Sequence, residues 1–518
     1  MATTKPVPIK SLPGIRRDGT QFDGQEYTDG QWVRFYRTRP KKMAGYQAIT
    51  TALPEVARGM DAYQQNTVNY VHLGGASYLT QVQMTNDGIF MNQTDRTPAG
   101  FAASPNNVWQ LDVMYSTTGG VNNLVAHAAQ NLNDLTSGTE TPIYWGPIMD
   151  TTVLTPTSMA NQSGGIVAVY PYLITYGNYG RVDCSAINDP TVPIGTAGTS
   201  AGSAFVTGQK IVKGLPLRNA GGPAFLLWSL DSLIMGLFNP LILAGVPFSF
   251  NIVSDTTSIL SSQCVIEYDG IYFWAGVDRF LMFNGVVREV PNQMNLDFFF
   301  TRINMTYREK AFVFKVPRWG EIWWCFPLDS STECNHAVIY NIRENSWYDT
   351  ALPGAGRTAG LFPSVYPYPL LTEPQVQVLG GSPAINFWRH EYGVDEVNGV
   401  TVRPIPSYFT SDEKEILDQG LDKCLRVDIL EPDLVQTGDM RVTVTGRANA
   451  RSADSESQSV VFTDPQTNAP LSPDQQVVRF KQSRRFLRFK FESNTVGGNY
   501  YMGKTLAHIE PAEGRFTQ

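Results

Sequence analysis

The chain of 518 residues carries a net charge of −7, and only 17% of its residues are charged, against a usual ~25%. An acidic chain argues against a general nucleic-acid binder, which would be basic overall, and sparse charge points to surface buried against partners. Five cysteines without close pairing give no zinc framework; free buried thiols in a reducing compartment are the simplest reading.

The first 20 residues lack the apolar core of a signal peptide. In the segment 14–46, Arg34, Tyr36 and Thr38 alternate with Val33, Phe35 and Arg37, which predicts a strand with a polar face that closes a propeller or docks on a neighbouring subunit. It ends in a basic cluster, so Arg34, Arg37, Arg39, Lys41 and Lys42 are candidate interface or docking residues. Contact with DNA phosphates is the sharper reading of the same cluster, because Arg and Lys supply most non-specific affinity.

Strand-like runs rich in Val, Ile, Tyr, Phe and Trp then recur between turns of Gly, Asn, Asp and Pro. Copies of a strand–turn–strand unit stand at 62–82, 108–128, 167–187, 224–238, 265–285 and 313–342. Their spacing of about 40 to 60 residues suggests propeller blades, about six of them and kelch-like in part. The Gly-rich 195–204 reads as a loop. The apolar run 233–250 is interrupted by Asn239, Pro240 and Pro247 and predicts no membrane span.

Residues 333–350 set Cys334, Asn335 and His336 side by side, nine positions after Cys325. A thiol nucleophile needs a positioned base and a source of positive field, and zinc needs further ligands; His72, His127, His390 and His508 are isolated in sequence. The ordinary reading is blade scaffold. A Tyr, a polar turn and a Trp, followed by Arg357, resemble a kelch-type blade, and Trp274, Trp323, Trp324, Tyr340 and Trp347 are expected to pack between blades. With no paired carboxylates, nucleophile elbow, P-loop or His-Glu-x-x-His, the expectation is no catalytic residue, no metal and no cofactor.

Residues 412–423 alone read as helical. Beyond them Leu487, Phe489 and Phe491 share one strand face, with Phe486, Arg488 and Lys490 on the other, which predicts a β-sandwich with one face in a core. The basic run 484–490 carries the same ambiguity as the N-terminal cluster. The expected organisation is an arm and closing strand at 1–45, a propeller with inserted loops at 46–410, and a sandwich at 411–518.

Two segments resemble a known family. Arg-Asp-Gly-Thr at 17–20, Trp-x-Arg-Phe at 32–35 and Arg-Pro-x-Lys-x-x-Gly-Tyr at 39–46 resemble the amino-terminal signature of tail nozzle (tail hub) proteins of short-tailed phages, and 261–295 and 320–350 are similar to the middle of that family. The resemblance implies a β-propeller protomer in a virion, assembled in the host cytoplasm. It implies a sixfold ring at the distal end of the tail, docked on a portal-proximal adaptor, bearing a fibre or plug, and passing double-stranded DNA without reading it. The alternatives are a propeller glycan hydrolase, which needs two carboxylates about 5–9 Å apart, and a monomeric kelch-like binding module, which predicts better-matched repeats.

Overall fold

The computed structural model describes residues 5–512 except 21–23, 118–119, 219, 243–244, 375–376, 380–381, 415–423, 450–451, 454–457 and 462–477. It is all-β. Four-stranded antiparallel sheets follow one another at 57–95, 108–156, 165–205, 211–254, 265–289 and 312–351. A seventh, at 359–390, is completed by Tyr46–Leu53, which pairs antiparallel with Ser382–His390. The first strand of each sheet lies innermost, and Ala359–Leu361 returns to Ala57–Gln65, so the sheets close a propeller.

Among the described residues the blades therefore number seven, where the repeat spacing suggests about six. The seventh is assembled from the two ends of a long stretch of sequence, so it leaves no contiguous copy to recognise. The strand that closes the ring is Tyr46–Leu53, not the alternating stretch before it. Hairpin turns follow local chemistry. Asp269 and Gly270 link Val265–Tyr268 to Ile271–Ala275 with φ of 51° and 81°, the double positive-φ turn that matches strand twist.

The arm before residue 46 belongs to the sandwich. Val33–Tyr36 and Arg39–Lys42 extend a sheet made by Val478–Arg484, Cys424–Thr437 and Asn499–Ala512, while Lys5–Ile9 also pairs with Asn499–Ala512. Asp29–Gln31 edges the second sheet, beside Ser407–Thr410, Phe486–Ser493, Arg441–Arg447 and Gln458–Val461. Leu487, Phe489 and Phe491 are buried as the alternation required, and Phe486 is buried as well.

Sandwich and propeller share one core. Phe409, Val442, Phe489 and Tyr500 lie in the same buried cluster as Phe314, Trp323, Tyr348 and Trp388 of blades 6 and 7. Of the stretch read as helical, 415–423 lies outside the described residues; the α-helix that is described, Leu296–Arg302, sits in the connection between blades 5 and 6. Among the described residues no helix is long and apolar enough to cross a membrane.

Candidate functional site: the axial cavity and the joint

The joint between sandwich and blades 6–7 is built from the motif residues of the arm. Arg17 donates to both oxygens of Asp349 at 2.9 and 3.1 Å and to Asp29 at 2.6 Å. Asp349 also meets His336 Nε2 at 2.8 Å. Burial opposes ionisation of Asp349, but Arg17 and His336 outweigh it and hold the carboxyl below its usual range. Asp18 accepts the N–H groups of Asp297 and Phe298 at 2.9 and 2.8 Å, so the arm caps the first turn of the helix, where a carboxylate is favoured.

Arg34 is buried between Glu321 (2.9 Å) and Glu391 (2.5 Å). Glu321 accepts in addition from Trp323 Nε1 at 2.8 Å and Tyr348 Oη at 2.7 Å; burial still pushes its carboxyl upward. Lys42, also buried, donates to the Gly498 carbonyl at 2.6 Å, and burial pulls its amine down to about 8. A Cβ on Gly45 would stand 2.2 Å from the Asp395 carbonyl oxygen, so glycine is required there.

Of the five basic residues singled out in the sequence, Arg34 and Lys42 are thus spent inside the chain and are not available to an outside partner. Arg39 is half-buried. Arg37 is exposed and Lys41 half-buried, both near aromatic rings.

The blade aromatics occupy the seams. Trp274 packs edge-on against Trp228 of blade 4 at 5.8 Å. Trp347 stacks on Tyr340 at 4.7 Å and on Trp324 at 5.8 Å, with Phe280 of blade 5 beside it at 4.8 Å. Trp323 faces Trp32 of the arm at 6.3 Å. Cys325 and Cys334 are buried, and burial raises both thiols well above their ordinary range. Cys334 Sγ donates to the Lys310 carbonyl, whereas His336 is engaged with Asp349. The Cys–His pair of the sequence is therefore divided between two structural contacts. No group of three or more metal-capable side chains occurs among the described residues.

A second constellation was not anticipated. The propeller axis holds a cavity of ≈ 150 Å³ whose polar lining includes Asp61, Gln110, Lys213 and Gln263. Asp61 accepts from the Ala62 N–H and Tyr63 Oη, both at 2.7 Å. Burial, opposed by the Tyr63 hydrogen bond, raises it to about 7. Asp112 accepts from its neighbour Val113 at 2.8 Å and from Ala168 of the next blade at 2.7 Å; burial raises it too. Burial lowers the Lys213 amine, against the attraction of both aspartates. The signal was there to find: an aspartate sits at the same place in Ala57–Gln65 and Val108–Ser116, the innermost strands of blades 1 and 2.

No protein-family model matches the chain, and no curated protein matches it. Among solved structures, the WD40 β-propeller domain of Doa1 is similar at 11% identity with a TM-score of 0.39, over 67% of this chain and 96% of that one. An exo-β-1,3-galactanase from Phanerochaete chrysosporium is similar at 10% identity with a TM-score of 0.28, over 89% of this chain and 100% of that one.

Proposed function

We propose that the chain is a structural protein of a short phage tail: a nozzle protomer that closes with copies of itself into a ring, docks on an adaptor ring and a fibre or plug, and lets double-stranded DNA pass. One observation carries this reading. The residues that resemble the nozzle signature spend themselves inside the chain: Arg17, Asp18, Trp32 and Arg34 fix the arm to the propeller, while Gly45 and Tyr46 pack against the 394–396 segment beside blade 7. A signature devoted to rigidity suits a part of an assembly. The axial cavity is far too small for a duplex, so DNA would travel along the axis of a ring of protomers.

Apolar side chains are exposed at both ends of the propeller. Strand direction alternates through each blade, so the first-to-second and third-to-fourth connections all lie at one end of the propeller. Ile89, Met149, Tyr170, Ile187, Leu241 and Val286 are exposed there, on blades 1 to 5. Tyr179 and Phe205 are exposed at the opposite end. A contiguous apolar surface there would mark an interaction site, which single exposed residues do not, and Val400 and Val435 are exposed elsewhere.

Native mass spectrometry and negative-stain microscopy, with and without a candidate adaptor ring, test the proposal. A closed hexamer with a central hole, formed alone or on the adaptor, is expected; a stable monomer that ignores the adaptor would sink it.

Glycan hydrolysis at the axis is a second reading, favoured by Asp61 and Asp112 and by the raised Asp61, as a general acid requires. Two facts weigh against it. Each aspartate already has a backbone or tyrosine donor on both oxygens, and ≈ 150 Å³ falls short of the roughly 300–1,000 Å³ of ligand pockets. Release of reducing sugar from surface glycans, lost on Asp61→Asn in a chain that stays folded, would restore it.

A further inference from the structure

The basic cluster of the arm is half of a larger surface that only the fold assembles. The hairpin between Val33–Tyr36 and Arg39–Lys42 lies against two turns of blade 6, at 317–320 and 342–345. Trp319 is the hub: Arg34, Arg318 and Lys41 approach its ring at 4.8, 5.0 and 5.8 Å. Tyr36 packs edge-on against Trp319 at 5.2 Å and carries Arg37 over its own ring at 5.2 Å. Arg343 is tied to the same turn, donating to the carbonyls of Arg318 and Pro317 at 2.9 and 2.8 Å.

The nearby acids only partly offset this patch. Glu321 and Glu391 share the one cation Arg34, and Glu391 also accepts from Trp319 Nε1 at 2.9 Å. Glu344 accepts the backbone N–H groups of Arg37 and Thr38. Arg37, Arg318 and Arg343 are exposed, and they and Lys41 form no ion pair among the described residues. Burial, together with repulsion from Arg34 and Arg318, lowers the Lys41 amine, so positive charge is crowded here in a chain that is acidic overall.

We propose that Arg37, Lys41, Arg318 and Arg343, set around Trp319, form a docking surface for the phosphodiester backbone of duplex DNA. The choice of polyanion rests on the proposed reading of the chain as one past which DNA moves; the electropositive surface does not. An acidic protein is the weaker fit. Protein interfaces bury an apolar core, but here the single central ring, Trp319, is surrounded by cations and blade 6 exposes no large apolar residue. Protein–DNA interfaces are polar and positively charged. Four phosphate contacts position a duplex without reading its sequence, and added salt weakens them, so the surface holds DNA without clamping it.

The experiment is fluorescence anisotropy of the full chain with a 30-base-pair duplex of random sequence, at 50 and 200 mM salt. Affinity should fall roughly 10²-fold across that range, as about four neutralised phosphates require, and be indifferent to sequence. Arg318→Glu with Arg343→Glu should cost at least ~10-fold and flatten the salt slope. Arg37→Glu with Arg318→Glu, which leaves the hydrogen bonds of Arg343 in place, checks that the loss is not a folding defect. Undiminished binding in both variants would overturn the proposal. So would binding of poly-glutamate but not DNA, which would make the surface a protein site. A closed ring that binds neither leaves the nozzle reading standing and this inference wrong; a monomer that binds DNA through these residues does the reverse.

Discussion

Blades 6 and 7 and blades 1 to 5 are made of similar sheets but finished differently. The first group is fused to the sandwich by one continuous core and by buried ions such as Arg34–Glu321. The second group holds several smaller cores, Tyr70 with Trp109 between blades 1 and 2, Tyr172 with Phe248 between blades 3 and 4, and leaves apolar residues uncovered at one end. Propeller blades meet their neighbours through modest seams, so a lobe that spans two blades with a shared core makes that side the rigid part of the protein.

Breaking the rigid side should give the largest effect. Arg34→Ala leaves Glu321 buried without its cation and is expected to cost about 3–5 kcal/mol, read by urea denaturation. Loss of under 1 kcal/mol would mean that Glu321 is carried by Trp323 and Tyr348 alone. Gly45→Ala forces a Cβ onto the Asp395 carbonyl and should cost about 1–3 kcal/mol, as overpacking does. Gly222→Ala, in an open turn of blade 4 with nothing within 4 Å, should be neutral or stabilising by up to about 1 kcal/mol.

The same contrast explains what could be read from the sequence. Blades 5 and 6 were legible because each is one contiguous run of alternating strands with short turns. Blade 7 was hidden because Tyr46–Leu53 and Ser382–His390 are neighbours only in space. The arm was recognisable as a strand with a basic edge, but burial of Arg34 and Lys42 depends on carboxylates and carbonyls far along the chain, Glu321, Glu391 and Gly498. No local pattern encodes such a partner. Asp61 and Asp112 repeat at one strand position, a usable sign, yet the cavity that raises Asp61 exists only when the blades have closed around it.

Acid should weaken both sides through their buried histidines. His72 and His127, in blades 1 and 2, are lowered by burial to about 3 and about 4. Their unfolded value is about 6.5, so the unfolded chain binds more protons and stability falls as pH drops below about 6.5, by at most about 1.4 kcal/mol per pH unit for each histidine. Asp61 opposes them: its folded value of about 7 lies above the unfolded ~3.9, so it adds stability as pH falls through 7. In the joint, depressed Asp349 keeps its contribution above about 4 and loses it only as pH falls further, while raised Glu321 works the other way. The joint carries the same liability, because burial and Arg357 hold His390 of blade 7 well below its usual range. Hydrogen exchange should therefore show both blades 1 and 2 and the joint opening more readily as pH falls from 7 to 4.5. Asp61→Asn should steepen the loss in blades 1 and 2, and His127→Gln should blunt it there. Exchange that is the same at every pH would contradict this.

The smallest effect on folding should accompany a large effect on assembly. Leu241 is 86% exposed and Tyr170 66%, so Leu241→Ser and Tyr170→Ser should change stability by less than about 0.5 kcal/mol. If the uncovered end of blades 1 to 5 is where neighbours or the adaptor sit, either change removes apolar surface that association would bury, at about 25 cal/mol per Å². Native mass spectrometry of the double variant should then show the ring, or its complex with the adaptor, shifted toward monomer while the melting temperature stays put. An unchanged assembly would mean that the apolar end faces solvent, and that the ring closes through the flanks of the propeller or through the sandwich.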